Sequence, residues 1–490
     1  MAKTKTAPEN GLKLPYGKTI LMGFAFMASS IAWGVYDPFV TSILDRMLGA
    51  SPMIEHWSAV LAQRMPILLK FMEAQGESGF TLVPLFIGVI MTFDNIFGVI
   101  FQPTFGKLSD RTHSRFGKRK PFIMFGAPVA ALLFILIPRM TTVPALMVCI
   151  ILFVFTMSLW RAPCVALMPD LTPPALRSEG NAVINLVGGV GSMLALVAAT
   201  IVCAVYGIPN DKAHEVLYTP HVFEFAAVIM VLCTLIVTFL VKEPDSRIHT
   251  EAERNQEADA KAKREAEKQA RKAEKEALKA IKLTKGERLS LILMLAGLFF
   301  LFCGANSIQT FFALFAKEIF GKSPGEATRM MAIFAVSTAL GALPAGWLGK
   351  KFGRKKTIIL GLSMFIAAFV AYLLVTRVTG SPMLQLVYVA LVFGGFANML
   401  ITVNTLPLVL EIGGIQKVGT FTGYYYTATF SAQIATPIVY GVVRMLSGTY
   451  ASLFVYCPIC FALSFLCILG VRHGEAIPDE IIKEAELADD

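Results

Sequence analysis

Twelve apolar runs of about 20 residues, each closed by a polar break, set the terms for this chain. At about 1.5 Å of rise per residue, a helical run of that length crosses roughly 30 Å of hydrocarbon. The runs fall near 18–44, 80–105, 121–138, 144–169, 181–207 and 220–241, then near 289–316, 327–348, 357–376, 383–410, 418–443 and 449–471. Lipid offers no partner to a backbone N–H or C=O, so such a chain must cross as helices or as a closed barrel. Barrel strands alternate polarity over about ten residues and give no long apolar blocks. The expected class is therefore an all-α polytopic membrane protein, six spans in each half. Composition agrees: 55% of the 490 residues are hydrophobic and only 16% charged, against about 25% charged in soluble domains.

The net charge of +10 is concentrated in short loops beside the spans. The segments 106–120, 242–288 and 350–356 are rich in Lys and Arg, whereas 139–143, 208–219 and 377–382 are poor in them. The rich loops follow even-numbered spans, which puts them and both termini in the cytoplasm. Nucleic-acid binding is not expected from charge placed this way. The implied organisation is a tail over 1–17, a six-helix half over 18–241, a charged linker over 242–288, a second half over 289–471 and an acidic tail over 472–490. The first run lacks a small-residue cleavage site and reads as a retained span. Residues 251–282 carry Ala, Glu and Lys with i,i+4 pairs such as Glu257/Lys261 and no apolar seam, which suits a solvated helix. Residues 52–72 mix apolar and polar residues and suit an amphipathic interfacial helix.

Chemistry is sparse outside the membrane. The six histidines are scattered over loops and no H-E-x-x-H is present, so an enzyme is not expected. No phosphate-binding G-x-x-x-x-G-K-[ST] loop supports ATP-driven pumping. The eight cysteines sit almost entirely inside apolar runs, where thiols behave as small hydrophobes. "CPIC" at 457–460 has a metal or redox spacing but no second ligand pair. No metal and no cofactor are expected.

One short basic segment occurs twice. "FGKLSDRTHSRFGKRKPF" at 105–122 follows span 2, and "GWLGKKFGRKKTI" at 346–358 follows span 8, six spans later. Internal repeats of this kind are typical of transporters. Gly106 and Gly346 have no side chain and suit close helix approach. Asp110 can accept hydrogen bonds from the N-terminus of a facing helix, a contact worth about 0.3–1 kcal/mol; the second copy has Lys350 in its place. The pattern resembles the signature loop of the major facilitator superfamily, which implies twelve helices in two six-helix halves. In that family the facing helix is span 11, here opening "GIQKVGTFTG". Gly106, Asp110, Arg111, Arg115, Gly117 and Arg119 would then build a cytoplasmic gate, with Arg177 after span 4 and Glu411 at the end of span 10.

The longer first copy, with "FDN" at 93–95, "RAPCVALMPDLTPPALRSEGNAVIN" at 161–185, "NTLPLVLE" at 404–411 and "GTFTGYYY" at 419–426, is similar to sucrose–proton symporters and their bacterial relatives. These belong to the glycoside–pentoside–hexuronide:cation symporter group. The resemblance implies secondary active transport at the cell membrane, by a monomer, of a sugar or glycoside with a proton. Na⁺ coupling, efflux of drugs or metabolites, and a non-transporting sugar sensor are the alternatives.

Charges inside the bilayer cost about 2.5–3.5 kcal/mol each on insertion scales and mark functional candidates. Asp94 precedes Gly106 by twelve residues, which places it roughly 18 Å up the helix, near the midplane. Arg161 precedes Asp170 by nine residues, roughly 13 Å, at similar depth. Burial and a neighbouring guanidinium act oppositely on a carboxyl's proton affinity, so Asp94 is the candidate proton carrier and Arg161 its charge partner; a static ion pair locking two helices is the alternative. Asp170 could assist proton release or join the gate. Trp33 and Asp37 share a helix face four residues apart, an aromatic plate beside a carboxylate that suits a sugar. Relatives of this stretch carry Asn at the Asp37 position, and interfacial anchoring is the competing role. Asn95 joins them as substrate candidate. In the second half Gln309, Asn398, Asn404 and Tyr425 offer donors and acceptors for hydroxyls, or glue between helices at about 0.6 kcal/mol each.

Overall fold

A helix stands at every place where the sequence provides an apolar run. The computed structural model describes residues 14–64, 81–172, 176–243, 284–413 and 418–472. In chain order the helices are α1 (Tyr16–Gly49), α2 (Pro52–Arg64), α3 (Val83–Asp110), α4 (Lys120–Leu136), α5 (Val143–Leu171), α6 (Arg177–Tyr206) and α7 (Glu215–Leu240). Then come α8 (Lys285–Phe320), α9 (Pro324–Phe352), α10 (Arg354–Thr379), α11 (Leu384–Gly413), α12 (Val418–Ser447) and α13 (Leu453–Leu469). Among the described residues ten helices are long and apolar enough to cross a membrane, or eleven if the bent α9 counts as one span. The α9 axis turns by 46° between Ala342 and Pro344, where the proline removes a backbone donor and crowds the preceding turn. α12 falls outside that set because Tyr, Thr, Ser and Gln interrupt its apolar residues. The charged segment 251–282 and the acidic tail beyond residue 472 lie outside the described residues.

The amphipathic segment expected over 52–72 is helical over Pro52–Arg64, and 65–80 lie outside the described residues. Its Ile54 and Ser58 are buried while Met53 and Trp57 are exposed, a two-sided pattern at helical spacing.

By contacts the chain forms two compact units, Met1–Ile43 with Phe93–Thr250, and Leu44–Thr92 with Glu251–Asp490. Of the described residues, 44–64 and 81–92 group with the second unit. The cause is close backbone approach along α3 and α12. A Cβ on Gly88 would overlap the Pro437 carbonyl, and one on Gly441 would press on the Pro84 carbonyl. Thr92 donates to the Ile434 carbonyl at 3.3 Å, and Lys317 pairs with Asp45 at 3.1 Å.

Within the first unit α1 and α6 meet through small residues, Gly34 against Ala195 and Gly191 against the Met27 carbonyl. In lipid, where apolar burial does not drive association, such close van der Waals contact is the main adhesive. Around it Tyr36 stacks on Phe153 and Phe134 tilts against Phe223. The second unit has its own aromatic core, with Phe365 stacked on Phe461 and Tyr372 against Phe454.

Candidate functional site

The intramembrane polar residues of the first unit converge. α1 brings Trp33, Tyr36 and Asp37, α3 brings Asp94 and Asn95, and α5 brings Phe153 and Arg161. Tyr36 and Phe153 wall two sides of Trp33, with ring centroids at 5.3 and 6.0 Å. The Arg161 guanidinium lies over the Trp33 ring, 6.0 Å from its centre, the outer reach of a cation–π contact. Asp94 is within electrostatic reach of both Arg161 and Asp37, but makes no salt bridge with Arg161. Its Oδ1 instead accepts from the Asn95 backbone at 2.6 Å and from the Asn95 amide at 2.9 Å. The static Asp94–Arg161 lock, one of two roles read from the sequence, is therefore not the arrangement found.

This cluster is hydrogen-bond-poor. Trp33 Nε1 is buried and donates to nothing among the described residues. The Arg161 guanidinium and the Asp37 carboxylate likewise have no hydrogen-bond partner among the described residues. Buried polar groups are ordinarily paired, because leaving one unpaired costs about 1–3 kcal/mol. Donors and acceptors left open beside an aromatic plate can receive a molecule bearing several hydroxyls.

The repeated basic segment has a different task, and it performs it in both units. Arg119, only 7% exposed, pairs with Asp110, donates to Asp170 at 2.7 Å and also reaches Ser109 and the Gly106 carbonyl. Burial works against its charge, but hydrogen bonds and charges from Asp170 and Asp110 leave its pKa raised. Lys120 donates to the Val241 carbonyl at 2.7 Å, at the end of α7. In the second unit Arg354 pairs with Glu411 at the end of α11, and Lys355 donates to the Leu469 and Val471 carbonyls at 3.0 and 2.5 Å, at the end of α13. Each copy thus ties its third span to the fourth through an Arg–acid pair and to the sixth through a Lys on orphan C-terminal carbonyls.

The sequence reading missed Glu243. Its carboxylate accepts the N–H groups of Lys118 (2.7 Å), Arg119 (3.0 Å) and Lys120 (3.0 Å), capping the start of α4 from the far end of the unit's chain. An anion on a helix N-terminus satisfies orphan donors and complements the dipole. Gly117, at φ +97°, is needed twice over, since a Cβ there would also overlap the Glu243 carboxylate. Among the described residues the second copy has no such acid; Gly353 makes the corresponding turn at φ +91°. Glu243→Ala is expected to lower stability by about 1–2 kcal/mol, the range of a lost cap, with Glu243→Gln losing less; thermal unfolding in detergent reads both.

Other expectations change. Gly106 and Gly346 permit no close approach: a Cβ on Gly106 would meet only Ala162 at 3.9 Å, and one on Gly346 nothing within 4 Å. The close contact lies at Gly349, where a Cβ would overlap the Asn404 amide oxygen. Asn404 is buried there, its Nδ2 donating to Ala345 at 3.2 Å and Leu400 at 2.8 Å, so it bonds α9 to α11. Tyr425 is mostly buried. Gln309 is exposed on α8 and Asn398 half-buried on α11. Arg111 and Arg115 are exposed, and the Arg177 side chain lies outside the described residues. Asp170 belongs with Arg119 and not with the Trp33 cluster.

Comparison with known proteins follows the same lines. A family model described as MFS/sugar transport protein matches residues 80–412. An uncharacterized MFS-type transporter of Schizosaccharomyces pombe is 30% identical over 161 residues, which cover 33% of this chain and 34% of that relative. Among solved structures, the peptide transporter POT in complex with alafosfalin superposes with a TM-score of 0.61 at 15% identity, covering 94% of this chain and 96% of that one. The nucleoside transporter NupG gives 0.59 at 15% identity over 93% and 98%. A bacterial homologue of the human lysosomal transporter Spinster, inward-facing and occupied, gives 0.58 at 12% identity over 94% and 95%. At such identities these likenesses speak for the fold alone. With two-thirds of its length matched by the family model, the chain belongs to the MFS/sugar transport protein family and is a multi-pass membrane protein.

Proposed function

We propose that the protein takes up a sugar or glycoside together with a proton by alternating access, through twelve spans with both termini in the cytoplasm of a cell. The observation that supports this most is the open donor–acceptor set of the first unit. Trp33 supplies an apolar plate and an N–H, Arg161 a fork of donors, and Asp37 and Asn95 complementary acceptor and donor groups. A polyol ring has one rather apolar face and an edge of hydroxyls, which is the chemistry such a set complements. Asp94 carries the proton; its Oδ1 accepts from the Asn95 backbone and side-chain N–H groups and it makes no salt bridge among the described residues, so protonation breaks no ion pair. Asn404 is reassigned to helix packing. Arg119 with Asp110 and Asp170, and Arg354 with Glu411, are the cytoplasmic gate elements.

A Na⁺-coupled reading keeps some standing, because Asp37 and Asp94 lie within electrostatic reach of each other and two acids can share a cation. Uptake into proteoliposomes separates the two. With an inward proton gradient, sugar is expected to accumulate without Na⁺ and to stop accumulating when a protonophore is added. Accumulation that requires Na⁺ and ignores the proton gradient would replace the proton with Na⁺. A panel of sugars and glycosides that neither accumulates nor shifts the unfolding temperature would remove the sugar reading.

A further inference from the structure

The cations of the repeated segment fall into two sets, and only one is accounted for above. Arg119, Lys120, Arg354 and Lys355 point into the bundle and are consumed there. Lys350, Lys351 and Lys356 are exposed and make no ion pair among the described residues. Lys351 does not simply extend into solvent. Its Nζ lies 4.7 Å from the centre of the Trp347 ring and 5.3 Å from that of Phe352. Both rings are themselves uncovered, Trp347 at 59% exposure and Phe352 at 50%. They stand at the terminal turns of α9, the end of a helix pair apolar enough to cross the bilayer. An indole at that level belongs to the headgroup layer, where an apolar body and a polar edge are both satisfied.

We propose that the Phe352 end of α9 binds the headgroup of an anionic phospholipid. Trp347 and Phe352 dock against the glycerol and upper acyl region, and Lys351, held on the two rings, meets the phosphate. Lys350 and Lys356 supply the further positive charge that favours an anionic lipid over a zwitterionic one. Trp347 and Lys351 are four residues apart on one helix face, so the pair is presented together. The first unit repeats the division independently. There Lys107, Arg111 and Arg115 are exposed without an acid among the described residues, and the Arg115 guanidinium lies 4.7 Å from the centre of the exposed Phe116 ring. Two segments with different sequences thus each spend their inner cations on the protein and set an outer cation over an exposed ring. A soluble phosphate is a poorer fit, since these cations are exposed and the exposed rings would gain nothing from it.

The proposal does not depend on what is transported, and its test does not read transport. The full-length protein is equilibrated in vesicles of phosphatidylcholine containing a minority of phosphatidylglycerol, extracted, and its retained lipids weighed by native mass spectrometry. The wild type is expected to retain phosphatidylglycerol in preference to phosphatidylcholine. Lys351→Gln and Trp347→Ala should each reduce that retention by about fivefold, and Trp347→Tyr should largely restore it. Lys18→Gln, which removes an exposed cation of α1 that has no ring beneath it among the described residues, should leave retention unchanged. Retention without preference for the anionic lipid would overturn the site. So would an equal loss in Lys18→Gln, which would reduce the effect to bulk positive charge, or full retention in Lys351→Gln. These exposed substitutions leave the packed interior untouched, and thermal unfolding confirms that each variant is folded.

Discussion

Replacing Asp94 with Asn is expected to abolish proton-driven accumulation of substrate while leaving substrate binding and counterflow exchange measurable. The amide has nearly the same shape as the carboxylic acid, and its oxygen can still accept from the Asn95 backbone N–H and side-chain amide. What it cannot do is gain and lose a proton. A gradient of one pH unit is worth about 1.4 kcal/mol per proton, or about a tenfold concentration ratio for one-to-one coupling. The variant should therefore fall from about tenfold accumulation to none, a change far larger than any error in vesicle volume. Counterflow needs no net proton movement and so should persist. Undiminished accumulation in Asp94→Asn would remove Asp94 from the mechanism. The matching Asp37→Asn variant tells one carrier from two: accumulation retained there assigns the proton to Asp94 alone, and accumulation lost in both means the acids act as a pair.

What could be read from the chain, and what could not, follows from the solvent. Lipid forces every crossing segment to satisfy its own backbone, so α1 and α3 through α13 were legible as apolar runs to within a few residues. Charged residues within apolar runs stand out in the sequence because they are expensive in lipid; in the structure Asp94 lies within electrostatic reach of Asp37 and Arg161, and Arg161 lies over the Trp33 ring. The neutral polar residues were not. Asn404 and Asn398 look alike in sequence, yet only the side chain of the first is sealed against a neighbouring helix, at Gly349. That distinction depends on which face of α11 meets α9, and an Asn makes the same pattern in either case. In the second copy the close-packing glycine was read three residues early, since Gly346 and Gly349 lie on nearly the same helix face. Glu243 offered no signal, because an acid just after a span looks like any loop residue until the fold carries it 125 positions back to the N–H of Lys118. The grouping of 44–64 and 81–92 with the second unit was equally hidden, because it rests on Gly88 and Gly441 admitting another backbone.

Trp33 gives the sharpest separation between a binding group and a packing group, because its two roles predict the same stability but different affinity. Its indole N–H is buried and has no acceptor among the described residues. If the residue only packed α1 against Phe153, Trp33→Phe would discard an unsatisfied donor and raise or preserve stability, with no effect on substrate. A donor reserved for a hydroxyl predicts the same gain or constancy in the empty protein, together with weaker binding once substrate is added. Losing one such bond costs about 0.5–1.5 kcal/mol, so the apparent affinity of Trp33→Phe should drop about three- to tenfold. Trp33→Ala removes the plate as well, with the stacking surface and the seat of Arg161, and the guanidinium is then free to pair with Asp94. Its affinity should fall by about a hundredfold, as the aromatic contact adds roughly 1–1.5 kcal/mol to the lost N–H. Thermal unfolding with and without sugar, beside uptake at graded concentrations, reads stability and affinity on the same preparations. Trp33→Phe binding as tightly as the wild type would return the indole to the core and leave Arg161, Asp37 and Asn95 to hold the substrate without it.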